Sequence, residues 1–125
     1  MHDYQISWDY MLDDYVKRKH TLLIDRISKQ IKENILYKLE VINSFEVYPI
    51  ILPDNILGIY CKGTSIKPVI GIDVGNILIA CDQYNISINI AIKTTILHEL
   101  KHAQQDYNNM PLDEFDAEEF AFNNS

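Results

Sequence analysis

Residues 69–81 read Val69-Ile70-Gly71-Ile72-Asp73-Val74-Gly75-Asn76-Ile77-Leu78-Ile79-Ala80-Cys81, two apolar, β-branched runs meeting at Val74-Gly75-Asn76. A glycine reaches positive φ without a Cβ penalty, which a tight hairpin uses. The reading therefore predicts strands near 68–73 and 76–81, paired antiparallel in one sheet. Upstream, Pro49, Pro53-Asp54-Asn55, Gly58, Gly63 and Pro68 punctuate short β-branched and aromatic runs, which predicts two further strands near 45–51 and 57–62.

On both sides of this region the apolar period changes to that of a helix. From Ser7 to about Val41, Leu23, Ile27, Ile31, Ile35 and Leu39 recur four apart, while Lys17, Arg18, Lys29, Lys32 and Glu33 occupy other faces. This predicts one long amphipathic helix, or two with a break near His20-Thr21. Downstream, Ile86 to Tyr107 is helical in pattern, with Ser87 or Asn89 as its cap and Asn108-Asn109 and Pro111 ending it. A short last helix is expected from Pro111 or Leu112 to Phe122. The order of elements predicts an α+β fold in one domain, 1–125. Its segment 1–42 covers the back of a small twisted sheet, mostly antiparallel or mixed, and 45–125 holds the sheet and the two C-terminal helices.

A chain of 125 residues supports one core and one or two surface sites. The net charge of −7 argues against nucleic acid as the main partner, because phosphate binding needs clustered lysine and arginine. The short basic run Lys17-Arg18-Lys19-His20 reads as a solvated helix face. No segment approaches the roughly 18–20 apolar residues that span a bilayer, so no membrane partner is expected. The first residues carry acid where an export signal carries lysine or arginine, which predicts a cytoplasmic protein. Cys61 and Cys81 lack metal-binding spacing and are expected as reduced, part-buried thiols in the strand region. The isolated His2 and His20 are read as surface or packing residues.

The chemistry-bearing motif lies in the second half of the longer C-terminal helix, Thr95-Ile96-Leu97-His98-Glu99-Leu100-Lys101-His102-Ala103-Gln104-Gln105. It contains H-E-x-x-H. Helix residues four apart point within about 40° of each other and rise about 6 Å, so His98 and His102 present their imidazoles side by side. That spacing suits a tetrahedral Zn²⁺ ion, with bonds of about 2.0–2.1 Å. Glu99 is placed to take a proton from a water activated by the metal, and is the expected general base.

A catalytic zinc takes three protein ligands and keeps one position open. The last helix offers Glu114-Phe115-Asp116-Ala117-Glu118-Glu119-Phe120-Ala121, in which Glu114, Ala117, Glu118 and Ala121 share one face. Two alanines on that face let the helices approach closely. Glu114 is thus the expected third ligand, and Glu118 the acceptor for the other ring nitrogen of a ligating histidine. Asp113 is expected as an N-terminal capping residue; a shift of helix phase would bring Asp113, Glu118 or Glu119 into the place of Glu114.

The segments "HELKH" and, twelve positions later, "EFDAE" resemble the gluzincin metallopeptidases, with H-E-x-x-H followed by E-x-x-x-D on a second helix. The resemblance extends over roughly residues 45–122. Within that clan the chain looks most like the minigluzincins; "HELKHAQQ" is also similar to SprT-like domains and "EFDAEEFA" to the glutamate helix of ImmA/IrrE-type proteases. The resemblance implies a zincin-like domain in which His98, His102 and Glu114 bind zinc and Glu99 is the base. Glu118 stands where the family has an aspartate. It also implies that a rim strand holds an extended peptide by strand addition. By position that strand is Val69, Ile70, Gly71, Ile72, Asp73 and Val74, with 76–81 inside it.

The expected function is zinc-dependent hydrolysis of peptide bonds in a peptide or protein substrate. The runner-up is a non-enzymatic binding or regulatory protein, such as an acidic inhibitor or a mobile-element immunity-type factor, on a metallopeptidase scaffold with a structural or vestigial zinc site.

Overall fold

The computed structural model describes residues 20–62 and 67–125. The expected helix onset near Ser7, most of the basic run beginning at Lys17, and His2 lie outside the described residues. Among the described residues the fold is α+β, with four helices and one three-stranded sheet. Their order is α1 (20–34), a 3-10 turn (Leu36–Lys38), β1 (Glu46–Pro49), β2 (Gly58–Cys61), β3 (Val69–Ile72), α2 (Val74–Tyr84), α3 (Ile88–Tyr107) and α4 (Glu114–Asn124). No helix among the described residues is long and apolar enough to cross a membrane.

The helical spacing read in the N-terminal segment gives α1 an inward stripe. Ile24, Ile27 and Ile31 are buried, and the stripe continues through Ile35, Leu36 and Leu39 as the helix tightens into its 3-10 turn. These side chains pack with Phe45, with Ile70 and Ile72 of β3, and with Ile92, Ile96, Leu97 and Leu100 of α3 in one core.

The sheet is mixed, in the order β1-β3-β2. β3 lies parallel to β1, with Val47 opposite Ile70, and antiparallel to β2, with Ile59 opposite Gly71. Its last three residues are buried, as expected of a strand covered on both faces and paired on both edges.

Two strand expectations are corrected. Residues 76–81 are not a strand but the body of α2, so the hairpin at Val74-Gly75-Asn76 does not exist. Gly75 has no positive φ and sits in the first helical turn. Asp73 is the N-cap, its Oδ1 accepting the Asn76 N–H at 3.0 Å. The run Ile77 to Cys81 is too short for its period to tell strand from helix, since Ile77 and Cys81 also fit helical spacing. The second correction concerns the rim. β3, carrying Val69, Ile70, Gly71 and Ile72, is the central strand and has no free edge for strand addition, while Asp73 and Val74 belong to the start of α2.

Asp73 also fixes a distant segment, since its Oδ2 accepts the Leu52 N–H at 2.8 Å. Next to it, the Asn76 amide donates to the carbonyls of Pro53 and Ile56, at 2.9 Å each. Asp73→Ala removes a helix cap and a charge-assisted bond to a backbone donor, so about 2–3 kcal/mol of stability should be lost in urea unfolding. Asp73→Asn, which keeps an acceptor oxygen, should lose less.

Both cysteines are free thiols, Cys61 exposed on β2 and Cys81 half-buried on α2 rather than in a strand.

Candidate metal centre

Ser87 opens α3, its hydroxyl accepting the Ile90 N–H at 3.3 Å. The helix then runs through the core on Ile92, Ile96, Leu97 and Leu100, which fixes its rotation and turns His98, Glu99 and His102 toward β2 and α4. At its end Asn108 caps, and Asn109, in the left-handed region at φ 57°, reverses the chain. Asp113 caps α4 as expected, accepting the Asp116 N–H at 3.1 Å.

Ala117 and Ala121 of α4 are fully buried at 0 % exposure, and α4 packs along α3. With no side chain beyond Cβ at those positions, the helices approach closely enough for Glu114 to bridge both imidazoles. Its Oε2 lies 2.9 Å from His98 Nε2, and its Oε1 lies 2.9 Å from His102 Nε2. The two rings meet edge to face with centroids 4.8 Å apart. Donor atoms of His98, Glu99 and His102 all fall within 4.8 Å of one another.

The environments of these groups differ. Glu114 is 72 % exposed and reaches in from solvent, whereas His102 is 4 % and Glu99 8 % exposed. Burial pushes the Glu99 carboxyl up from its ordinary range; His98 and His102 oppose this, the Glu114 charge adds to it, and the backbone N–H of Tyr60 opposes it. The His98 contact is a hydrogen bond to a carboxylate, which can only accept, so a proton sits on His98 Nε2 there. His102 Nε2, though as close to its oxygen, is buried without an aligned hydrogen bond.

Glu118 lines the same cleft of about 440 Å³, together with Asn55, Leu57, Gly58 and Thr95. Its expected role is corrected: among the described residues it makes no hydrogen bond to either imidazole. The Nδ1 of His102 meets Gln105 Oε1 instead, at 3.0 Å. Of the residues considered as substitutes for Glu114, Asp113 is spent on the cap, and Glu119 is exposed outside the cleft lining.

The sequence reading missed Gln105 and the strand beside the site. Gln105 sits three residues after His102 on the same helix face, a visible spacing, but its partners come from the next helix. The strand nearest the site is β2, an edge strand that packs against α3. Its Tyr60 hydroxyl donates to Asp106 Oδ2 at 2.8 Å, and burial raises the phenol pKa well above its ordinary value.

Gly58 marks the closest approach of β2 to α3. A Cβ there would lie 2.7 Å from Thr95 Cγ2, 3.2 Å from Gly71 O and 3.4 Å from Glu99 Cγ. Thr95 is β-branched and held by its bond to the Ala91 carbonyl, so it has little room to yield. Gly58→Ala should cost about 1–3 kcal/mol in thermal unfolding.

The chain matches no protein-family model, no curated protein and no solved structure.

Proposed function

We propose that this protein is a zinc-dependent metallopeptidase of gluzincin type with a zincin-like fold, and that His98, His102 and Glu114 hold the metal. One observation carries the reading: both Nε2 atoms of the H-E-x-x-H pair lie 2.9 Å from the two oxygens of one carboxylate delivered by another helix. Two imidazole nitrogens and one carboxylate converge here as a donor set that a cation would occupy in place of the proton on His98 Nε2. The buried, unaligned His102 Nε2 is the lone pair such a cation would use. In a tetrahedral zinc site, ligand atoms are about 3.3 Å apart for bonds of 2.0–2.1 Å, so the two 2.9 Å nitrogen–oxygen contacts would open slightly to admit the ion.

A zinc ion bound there supplies a Lewis acid that polarises the scissile carbonyl and makes water a nucleophile near neutral pH. Glu99 takes the proton of the attacking water and passes it to the leaving amine. Its burial beside the ligands keeps that carboxylate poorly solvated, which favours proton uptake. The peptide would lie along the outer edge of β2, forming main-chain hydrogen bonds with outward backbone groups other than the Tyr60 N–H, which meets Glu99. This moves the rim role from Val69–Val74 to Gly58–Cys61.

A second reading has an observation of its own. Glu99 lies within the same 4.8 Å cluster as the two imidazoles, so it would be the fourth ligand of a closed, structural zinc site. That site belongs to the non-enzymatic binding or regulatory protein.

Metal content tests the proposal. Purified protein should carry zinc near one equivalent per chain. Chelation should abolish hydrolysis of a mixed peptide pool, and added zinc should restore it. Protein that takes up no zinc, or hydrolysis unaffected by chelation, would sink the reading.

A further inference from the structure

We infer that Gln105 readies the centre for its metal, by fixing which nitrogen of His102 carries the hydrogen and by holding the start of α4 in place for Glu114. The inference rests on the metal-centre reading above, but its first half concerns the metal-free protein.

Gln105 is buried, at 6 % exposure, and every polar atom of its amide is engaged. Its Oε1 accepts the backbone N–H of Asp113 at 3.0 Å. Its Nε2 donates to the Asp113 carbonyl at 3.1 Å and to Asp116 Oδ2 at 2.9 Å. A backbone N–H only donates, and a carbonyl or carboxylate oxygen only accepts. Exchanging the amide oxygen and nitrogen would set donor against donor and acceptor against acceptor, so these partners leave one orientation.

That orientation decides the histidine. The atom 3.0 Å from His102 Nδ1 is Oε1, an acceptor, so Nδ1 must carry the hydrogen. Neutral His102 then has its lone pair on Nε2, the nitrogen that lies beside Glu114 and lacks an aligned hydrogen bond. In the other tautomer, Nε2–H would block the metal and Nδ1 would face the Gln105 oxygen. In this one the Nε2 lone pair faces Glu114 Oε1 at 2.9 Å, a repulsion that a cation between the two atoms relieves.

The same side chain reaches across to α4. Asp113 is the cap of that helix and immediately precedes Glu114, and Asp116 lies in its first turn. Gln105 is thus bonded at once to a histidine ligand on α3 and to the backbone adjoining the carboxylate ligand on α4. If it served only as a clamp between helices, the hydrogen on His102 would be of no consequence; the tautomer separates the two roles.

The test uses imidazole nitrogen–proton correlation NMR on the full-length, zinc-free, ¹⁵N-labelled protein, at a pH above that at which His102 becomes neutral. Wild-type His102 should hold its hydrogen on Nδ1. Gln105→Met, similar in length but without an amide, should shift His102 toward the Nε2–H form. Its zinc affinity, measured by competition with a chromophoric chelator, should fall roughly 10- to 100-fold. Gln105→Glu keeps an acceptor oxygen and should retain the Nδ1–H form. It should lose part of the zinc affinity, because its charge faces Asp116. A wild-type His102 protonated on Nε2 overturns the inference, as does a Gln105→Met protein with unchanged tautomer and zinc affinity. If Gln105→Met does not fold, the wild-type spectrum and Gln105→Glu decide. Failure of wild-type protein to bind zinc while His102 keeps Nδ1–H counts against the metallopeptidase reading and supports the tautomer assignment. Normal zinc binding with His102 on Nε2–H does the reverse.

Discussion

Glu99→Gln should leave zinc bound and lower kcat by roughly 10²–10⁴-fold, the usual contribution of a positioned general base. The amide has nearly the same shape as the carboxylate and fits the same buried place, but it takes no proton from water. The loss corresponds to about 3–5 kcal/mol on the barrier. Folding stability should not fall, since the substitution removes a carboxyl that burial disfavours in its charged form. Parallel measurement of metal content and turnover checks both halves. Full activity in Glu99→Gln would remove the catalytic assignment. Loss of zinc together with activity would make Glu99 a ligand and favour the closed, non-enzymatic site.

His102→Ala should abolish near-stoichiometric zinc and all hydrolysis. His102 is the more deeply buried of the two histidines and has a nitrogen already oriented from behind by Gln105. Zinc affinity should therefore fall by more than the roughly 10- to 100-fold that follows loss of a residue supporting a ligand. Thermal unfolding supplies an independent reading. A ligand that binds only the folded state stabilises it by about 4 kcal/mol at a thousand times its Kd. Wild-type protein should thus melt higher with added zinc and His102→Ala should not. Glu118→Ala, which removes a cleft carboxylate with no bond to either ring, should keep the zinc response. A His102→Ala protein that retains one equivalent of zinc would contradict the ligand set.

The legible parts of this protein were those whose geometry is local. His98 and His102 lie side by side because residues four apart on a helix must, and the apolar stripes around them made the helix itself readable. The approach of Glu114 to both imidazoles followed from a local pattern as well, since Ala117 and Ala121 mark the face on which α4 comes close. The cap Asp113 was readable for the same reason, and Ser87 as one of two candidates with Asn89; Asp113 and Ser87 each bond an N–H three residues on.

What failed was whatever depended on partners distant in the chain. The stretch Asp73-Val74-Gly75-Asn76 is chemically suited to a turn and to a helix start. The helix is held in part by Asp73 receiving Leu52, 21 positions away, and by Asn76 reaching Pro53 and Ile56. Once 76–81 became helix, the sheet of the described residues lost its expected fourth strand, β3 became central, and β2 became the edge strand beside the centre. Strand order is not a property of any one strand, so no reading of 69–74 alone reaches it. Gln105 is the same case at shorter range: its place on α3 was visible, but Asp113 and Asp116 come to it only after the chain reverses at Asn109. The sequence alone determined which side chains a helix presents together, because that follows from backbone periodicity. The tertiary structure alone decided which strand borders them and which amide orients them, because those contacts join segments whose separation in the chain carries no period.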